Sequence, residues 1–264
     1  MSTLTACIQG IGLLGPGLAD WSEACAVLSG ELPYVAARTL LPAPGILPAA
    51  ERRRAGRIIK LSLAVGVEAV ARAAADARTL PTVFSSSGGD GDNCHEICVA
   101  LASRERLISP TRFHNSVHNA AAGYWSIAQA CTEASTSLCA GDGSFGAGLL
   151  EALAQIAAGA PAVLLLAYDA DYPPPLAATR PIPDAFGTAL LLTAAAGAAA
   201  LPRLQLTLSD AIATSLQNYE LESLRRSIPA ARSLPLLEQL ARQRPGTVVL
   251  DYLASAQLAL EVQL

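Results

Sequence analysis

The stretch from residue 135 to residue 171 constrains the fold more than any other part of the chain. Two runs with strand character, STSLCAGDGSF and AVLLLAYDAD, flank the helix-like segment GAGLLEALAQIAAG. Strands that alternate with helices in this way indicate a layered α/β domain. The glycines form a turn that leads into the helix, where backbone N–H groups and the helix dipole favour a negative charge. The stretch therefore predicts an α/β fold with a candidate reactive turn.

Composition limits the class of protein. With 264 residues, 52% of them hydrophobic and 15% charged, the chain is long enough to bury a large core as one domain or two fused halves. The net charge of −4 gives little support to a nucleic-acid partner, which would need a basic face. One basic cluster is either the solvated face of a helix or a docking patch for an acidic partner: Arg52, Arg53, Arg54, Arg57 and Lys60.

Targeting and redox signals predict a cytoplasmic protein. Residues 1–10 lack the basic and apolar regions of a secretory signal. The alanine-rich run at 193–201 is too short to cross a membrane. The cysteines lie scattered in apolar contexts, as expected of reduced thiols rather than a disulfide framework: Cys7, Cys25, Cys94, Cys98, Cys131 and Cys139.

Periodicity and turn residues outline further elements. In the first half the sequence predicts a strand at 5–14, a helix at 21–28 capped by Asp20, a long helix at 53–76, a strand at 82–86 and a helix at 93–104. In the second half it predicts a hairpin-like pair of strands at 188–192 and 204–208, helices near 217–226 and 235–243, a strand at 247–250 and a short apolar end.

Five stretches, taken in order, resemble a known family. They are IQGIGLLGPG, SSSGGDGDN, SPTRFHNSVHNAAAGYWSI, the stretch that begins LCAGDGSFGAGLL, and DAFGTALLLTAAA. Together they cover residues 5–211 and are similar to the ketoacyl synthases, in particular to the short N-terminal relatives found with aryl polyene and type II polyketide pathways. The third and fourth stretches are the most specific.

The resemblance implies a thiolase-like fold with layers in the order α/β/α. It implies a single domain over residues 1–264, with a complete N-terminal half at 1–183 and a shortened C-terminal half at 184–264. The strand at 163–167 looks like the dimer-core strand of the family. Because it is apolar and would otherwise expose an edge, we expect the fold to need a partner.

The catalytic residues of the family are missing from their expected positions. Alignment through Gly159 places Asp142 where a ketosynthase holds its nucleophilic cysteine, and an aspartate cannot accept an acyl group from a carrier thioester in the usual way. The family's second half supplies two catalytic histidines, whereas this chain has no histidine after His118. The resemblance therefore implies a noncatalytic subunit similar to a chain length factor, with no cofactor and no metal.

Chain length factors pair with a complete ketosynthase and help to shape the tunnel of the growing acyl chain. The resemblance thus implies a full-length ketosynthase as partner and an acyl carrier protein as an indirect one. The small residues at 120–123 would let another backbone come close. The residues expected to bind the partner are Ser116, His118, Asn119, Gly123, Tyr124, Trp125 and Phe145. Tyr124 or Trp125 either closes the end of the partner's tunnel or packs in the core or the interface.

Two other functions stay open. Cys139 or Ser144 could be the displaced nucleophile of a small acyltransferase or condensing enzyme, although Cys139 is expected to be a packed thiol and Ser144 a helix-cap residue. The chain could also be a homodimeric scaffold. Glu133, Asp169 and Asp171 show no pairing that would support acid-base catalysis.

Two groups of residues have a spacing compatible with metal ligands. A helix would place His114 and His118 on one face, either as ligands or as a hydrogen-bonded structural pair, which is the preferred interpretation. Cys94, His95 and Cys98 form a second group, but it lacks distant partner ligands. We therefore predict no metal.

Overall fold

The computed structural model describes residues 3–194 and 201–264, so most of the alanine-rich run lies outside it. The described strands are β1 (Leu4–Leu14), β2 (Thr82–Ser85), β3 (Ser135–Leu138), β4 (Ala162–Asp169), β5 (Phe186–Thr193), β6 (Arg203–Ser209), β7 (Gly246–Leu253) and β8 (Ala256–Gln263). The described helices are α1 (Trp21–Ser29), α2 (Ala49–Arg54), α3 (Arg57–Arg72), α4 (Gly91–Ala102), α5 (Pro110–His114), α6 (Ala120–Gln129), α7 (Ser144–Ala157), α8 (Pro174–Ala177), α9 (Tyr219–Ser227) and α10 (Leu234–Ala241). Short 3₁₀ turns lie at Ala77–Thr79, Gly141–Gly143 and Pro229–Ser233.

These strands form one mixed sheet in the order β3-β2-β4-β5-β1-β6-β8-β7. β2 pairs in parallel with β3 and with β4, and the other neighbours are antiparallel. Helices connect the parallel strands, because parallel strands cannot be joined by a tight turn. The strand-helix-strand unit predicted from the sequence is therefore β3, α7 and β4, with β2 inserted between its two strands.

Helices cover both faces of the sheet, as the side chains of β4 show. Successive residues of a strand point to opposite faces. Val163 and Leu165 belong to one core, which includes side chains of α7 and α10. Leu164 and Leu166 belong to a second core, which includes side chains of α3 and α6. The α/β/α layering implied by the family resemblance is confirmed.

A very close contact between β1 and α3 sets the spacing of these layers. A Cβ atom on Gly10 would lie 2.2 Å from the carbonyl oxygen of Ala69, and one on Gly12 would lie 2.0 Å from that of Val65. Only glycine lets the strand and the helix approach so closely. The glycines of the opening stretch IQGIGLLGPG therefore have a packing role.

The prediction of one long helix at 53–76 is wrong. α2 ends at Arg54, Ala55 is extended, and α3 begins at Arg57. Gly56 is a poor helix former, and a Cβ atom here would lie 2.8 Å from Oδ2 of Asp90. The chain therefore breaks where it passes close to the start of α4, and the basic cluster is divided between two helices.

Two predicted strand arrangements are also wrong. β5 and β6 do not form a hairpin-like pair, because β1 lies between them and pairs with both. β4 does not lie at an edge, because it pairs with β2 on one side and β5 on the other. The edge strand at this end of the sheet is β3. The long first strand β1 lies inside the sheet between β5 and β6. Strands that follow each other in sequence are therefore not neighbours here, and the sequence alone does not show this.

The C-terminal strands β6, β8 and β7 extend the sheet beyond β1, and one face of β8 packs into the core. The apolar end predicted after residue 250 contains a full strand, β8, whose side chains alternate between the core and solvent. Leu258 and Leu260 are buried, whereas Glu261 and Gln263 are exposed. α10 packs against β7 and β8. The boundary between halves at 183 and 184 stays a prediction.

The described helices range from 4 residues in α8 to 16 residues in α3. None of these helices combines the length with the apolar character that crossing a bilayer requires.

Candidate functional site

The segment 139–144, which we call the elbow, has the strand-turn-helix geometry predicted from the sequence. β3 leads into the 3₁₀ turn Gly141–Gly143, and α7 begins directly after it. A Cβ atom on Gly143 would lie 2.5 Å from the carbonyl oxygen of Tyr252. The C-terminal strand β7 therefore packs directly against the elbow and leaves no room for a side chain there.

Asp142 lies within the elbow between two guanidinium groups. Nη2 of Arg180 is 2.5 Å from Oδ1 of Asp142, and Nη2 of Arg232 is 3.5 Å from Oδ2. Arg180 comes from the loop after α8, and Arg232 from the 3₁₀ turn before α10. Both carboxylate oxygens are thus engaged in ion pairs. This arrangement lacks the thiolate that covalent transfer from a thioester would use.

Cys139 differs from the sequence prediction. It was expected to be a packed thiol inside the strand, but β3 ends at Leu138 and Cys139 is exposed. Its thiol donates a hydrogen bond to the carbonyl oxygen of Ser87, with an S···O distance of 3.1 Å. The strand stops because its neighbour β2 also ends at this point, so the thiol reaches the surface.

Ser144 holds the elbow together, but it is not the predicted helix cap, because the N-cap of α7 is Gly143 and the Ser144 hydroxyl bonds the turn before the helix. Its hydroxyl donates to the carbonyl oxygen of Gly141 at 2.7 Å and accepts from the backbone N–H of Ala140 at 3.1 Å. The residue is buried. In the described part of the chain, neither this hydroxyl nor the Cys139 thiol forms a hydrogen bond with a histidine or a carboxylate. The base that a nucleophile needs is therefore absent from their hydrogen-bond partners.

Asp169, an acidic candidate for which the sequence showed no partner, has a structural role that sequence reasoning missed. It ends β4, is buried, and accepts hydrogen bonds from the N–H and hydroxyl of Ser87 at 2.8 and 2.6 Å and from the N–H of Ala230 at 2.8 Å. Burial raises its pKa to about 6, while these hydrogen bonds and the charge of Arg180 act in the opposite direction. Asp169 therefore connects the glycine turn after β2 to the 3₁₀ turn that carries Arg232. The sequence signal for this role was an acidic residue at the end of an otherwise apolar strand.

Four of the predicted interface residues lie on one exposed surface: Ser116, His118, Asn119 and Gly123. A Cβ atom on Gly123 would meet no other atom within 4 Å. Exposed apolar side chains surround these residues: Phe113, Val117 and Ile127. His118 also links this surface to the sheet edge, because its Nε2 donates to the carbonyl oxygen of Leu138 at 3.1 Å. We call these seven residues the α6 surface.

The other three predicted interface residues lie in the chain's own core. Tyr124, Trp125 and Phe145 are only 2%, 1% and 1% exposed. Tyr124 donates a hydrogen bond to Oδ1 of Asn115, and the ring of Trp125 packs where α3 has Gly66. Their large apolar rings stabilise the fold most when buried in the chain itself. The expectation that they contact a partner directly is therefore not met, and their core interpretation is the one that the packing supports.

The helix expected to align His114 and His118 is interrupted. α5 ends at His114, and His118 lies in the turn before α6. The His114 ring packs edge-on against the Tyr124 ring, and His118 bonds to the backbone, so the two histidines do not form the expected pair. Among the described residues, no group of three potential ligands is close enough to hold a metal ion. The absence of metal and cofactor stays a prediction.

The basic cluster is mostly engaged within the chain. Arg52 donates to the carbonyl oxygens of Gly45 and Leu47, and Arg54 pairs with Glu51. Arg57 pairs with both Asp92 and Asp171. These contacts favour the structural interpretation of the cluster over a docking patch.

Comparison with protein families identifies the class. The sequence matches the model of the beta-ketoacyl synthase N-terminal domain over residues 22–250, and the chain therefore belongs to this family. Comparison with curated proteins gave no match.

Several solved structures share the fold. A chain of the ketosynthase ApeO in complex with its chain length factor ApeC, from Xenorhabdus doucetiae, has 26% identity and a TM-score of 0.75, with 98% of this chain and 99% of that chain covered. A chain of the AntDE:AntF complex of a type II PKS acyl-carrier protein with its ketosynthase has 11% identity and a TM-score of 0.75, with 99% of each chain covered.

Another similar structure is a longer ketosynthase, of which this chain covers less than half. The enzyme from module 6 of the bacillaene synthase of Bacillus subtilis has 15% identity and a TM-score of 0.59, with 85% of this chain but only 45% of that chain covered. The fold is therefore that of the ketosynthases. The chain matches the full length of the first two structures and about half the length of this one.

Proposed function

We propose that the protein is a noncatalytic partner of a full-length ketosynthase, in the manner of a chain length factor, and that it shapes the tunnel of the growing acyl chain. The observation that carries the proposal is Asp142, a carboxylate between two arginines in an elbow where a condensing enzyme needs a thiol. The similarity to a ketosynthase in complex with its chain length factor supports the pairing.

The surface chemistry of α6 and β3 supports a partner of the same fold. Among the described strands β3 pairs with β2 alone, so its other edge is open to a second strand. The α6 surface next to it combines exposed apolar side chains with Gly123, which allows a second helix to approach closely. An apolar patch beside a free strand edge is suited to a large, permanent interface.

Tunnel shaping is assigned to α6 as a whole. Its outer face would contact the ketosynthase, while Tyr124 and Trp125 on its inner face set its distance from α3. The rings would then act on the tunnel through the position of the helix. An acyl carrier protein would contact the complex mainly through the ketosynthase, and one of the similar structures contains such a carrier.

The first prediction concerns catalysis. The isolated protein should form no stoichiometric adduct with an acyl thioester and should not decarboxylate malonyl-carrier protein, because the elbow has Asp142 and no histidine follows His118. Intact mass spectrometry and a decarboxylation assay measure both activities. Co-expression with a ketosynthase, followed by mass measurement of the complex, tests the pairing.

One observation favours a second candidate function, a small acyltransferase. Cys139 is exposed at the first position of the elbow, which allows a substrate to reach its thiol. The matched control is Cys94, an exposed thiol on α4. An adduct that Cys139→Ala removes and Cys94→Ala retains would establish the acyltransferase and overturn the noncatalytic role. A homodimer that does not exchange subunits with any ketosynthase would instead support a scaffold.

A further inference from the structure

A polar cleft of about 540 Å³ opens beside the elbow. Its walls come from the elbow, the loop after α8, the helix α9 and the 3₁₀ turn before α10. Three arginines line it: Arg180, Arg226 and Arg232. The hydroxyl-bearing residues Thr179, Ser223 and Ser227 contribute further polar groups.

The cleft carries an excess of positive charge. Asp142 is the only carboxylate among its lining residues, and it already contacts both Arg180 and Arg232. Arg226 pairs with Glu222, but Glu222 also pairs with the buried Arg225. Arg225 also pairs with Asp251, so Glu222 remains a counter-charge for Arg226. The three arginines of the cleft thus face two carboxylates, Asp142 and Glu222, which leaves an excess of one positive charge. An anion that enters the cleft would therefore meet uncompensated positive charge.

One donor in the cleft wall lacks an acceptor. Nε of Arg180 is buried and has no hydrogen-bond partner in the part of the chain that the structure describes. A buried N–H group without a partner is costly, and native proteins rarely leave one unsatisfied. A guanidinium presents its N–H groups as a planar fork that matches the oxygens of a phosphate. A phosphate oxygen at the Arg180 guanidinium would give this group a partner.

We infer that this cleft binds a phosphate group, either as free phosphate or as the monoester of a small molecule. Asp142 then acts as an internal competitor that occupies the arginines in the absence of ligand. The volume exceeds that of one phosphate, and Pro181, Ile182 and Pro229 supply an apolar wall for an organic substituent. The inference rests on this chain's own residues, so it does not depend on pairing with a ketosynthase.

Calorimetric titration of the full chain with inorganic phosphate, at constant ionic strength and pH about 7.5, tests the inference. Arg226→Gln and Arg232→Gln should each weaken binding about tenfold, the value of one charge-assisted hydrogen bond. Asp142→Asn should strengthen binding about fivefold, because it removes the competing carboxylate. Arg53→Gln is the control, since Arg53 is exposed and remote from the cleft lining.

The expected increase in phosphate affinity for Asp142→Asn distinguishes a specific binding site from general charge attraction. A parallel titration with glycerol 3-phosphate separates the two ligand sources: tighter binding than phosphate identifies a monoester, and equal binding identifies free phosphate. The inference is overturned if neither the native chain nor Asp142→Asn shows saturable binding. An equal loss of affinity in Arg53→Gln would overturn it too. Arg226 is largely exposed, so Arg226→Gln remains informative even if Arg232→Gln unfolds.

Discussion

Two carboxylates near the elbow show how surroundings assign different roles to one side-chain type. Asp142 is more than half exposed and is paired with Arg180 and Arg232. Asp169 is buried and is satisfied mainly by N–H and hydroxyl groups of Ser87 and Ala230. The first lines an open cleft, while the second joins two segments of the chain that are 82 and 61 residues away from it in sequence. Asp169 is therefore the residue through which the fold holds the elbow region together.

Asp169→Ala should lower the free energy of unfolding by about 3 kcal/mol near pH 4, and by less at neutral pH, where the ionised buried carboxylate of the native protein itself costs stability. The substitution leaves the N–H groups of Ser87 and Ala230 without their acceptor, and each buried unsatisfied group costs about 1–3 kcal/mol. Urea unfolding measures the change. Glu133→Ala is the control, because Glu133 is exposed and should change stability by less than about 0.5 kcal/mol. Equal stability of the two variants would contradict the prediction.

The same residue should make stability depend on pH. Burial raises the pKa of Asp169 from 3.8 to about 6, so the folded protein retains the proton to higher pH than the unfolded chain. The associated stabilisation is full below about pH 4 and is lost as pH rises through about 6, by up to about 3 kcal/mol. Asp169→Ala should lose this pH dependence. If the free energy of unfolding of the native protein and of Asp169→Ala changes with pH in parallel between about pH 4 and 7, the prediction is wrong.

At the scale of single elements, α6 is a helix with two different faces. Ala121, Tyr124 and Trp125 are buried against the sheet and α3, whereas Gly123 and Ile127 are exposed. Helical periodicity allows one helix to serve both the core and a surface. The exposed face can therefore be changed without disturbing the fold.

Gly123→Leu should abolish pairing with a ketosynthase and leave the chain itself folded. A Cβ atom at this position meets nothing within 4 Å in the chain, and leucine forms helices better than glycine by about 0.8 kcal/mol. In a close helix contact the same side chain would overlap the partner. Co-purification and a thermal melt measure the two effects. Ala154→Leu, at an exposed position of α7 on the other face of the sheet, is the control and should pair normally.

At the scale of the whole molecule, the fold is that of the ketosynthases, built on one eight-stranded sheet. β6, β8 and β7 extend it beyond β1, and the glycine of the elbow packs against β7. The described part of the C-terminal region thus supports the elbow and contributes Arg232 to the cleft beside it. The core cluster around α6 connects the sheet to the surface that we assign to the ketosynthase.

Trp125→Phe should lengthen the product of a reconstituted complex by a few methylene groups. The smaller ring lets α6 settle toward α3, and each methylene buried in the enlarged tunnel contributes about 0.8 kcal/mol. Product length is read by mass spectrometry. Tyr124→Phe is the control, because it keeps the ring and removes only the hydroxyl that bonds Asn115. Normal complexes with an unchanged length distribution would show that Trp125 only packs the core.

The elbow could be predicted from sequence, but its partners could not. Glycines and apolar runs are local signals, and they correctly placed the turn between β3 and α7. Arg180 lies 38 residues from Asp142, and nothing local in the sequence marks it as an ion-pair partner. Similarly, the sequence identified Tyr124 and Trp125 as large aromatic residues of α6. Whether they point into the core depends on the packing of α6 against α3 and the sheet, which the sequence does not show.

The α/β class, the elbow, the family resemblance and the absence of histidine after His118 could all be read from the amino-acid sequence, because they depend on residue identity and short-range pattern. The strand order, the buried position of Trp125 and the arginines around Asp142 became visible only in the folded chain. These features arise from contacts between residues far apart in the chain, and such contacts exist only once the helices and strands have packed together.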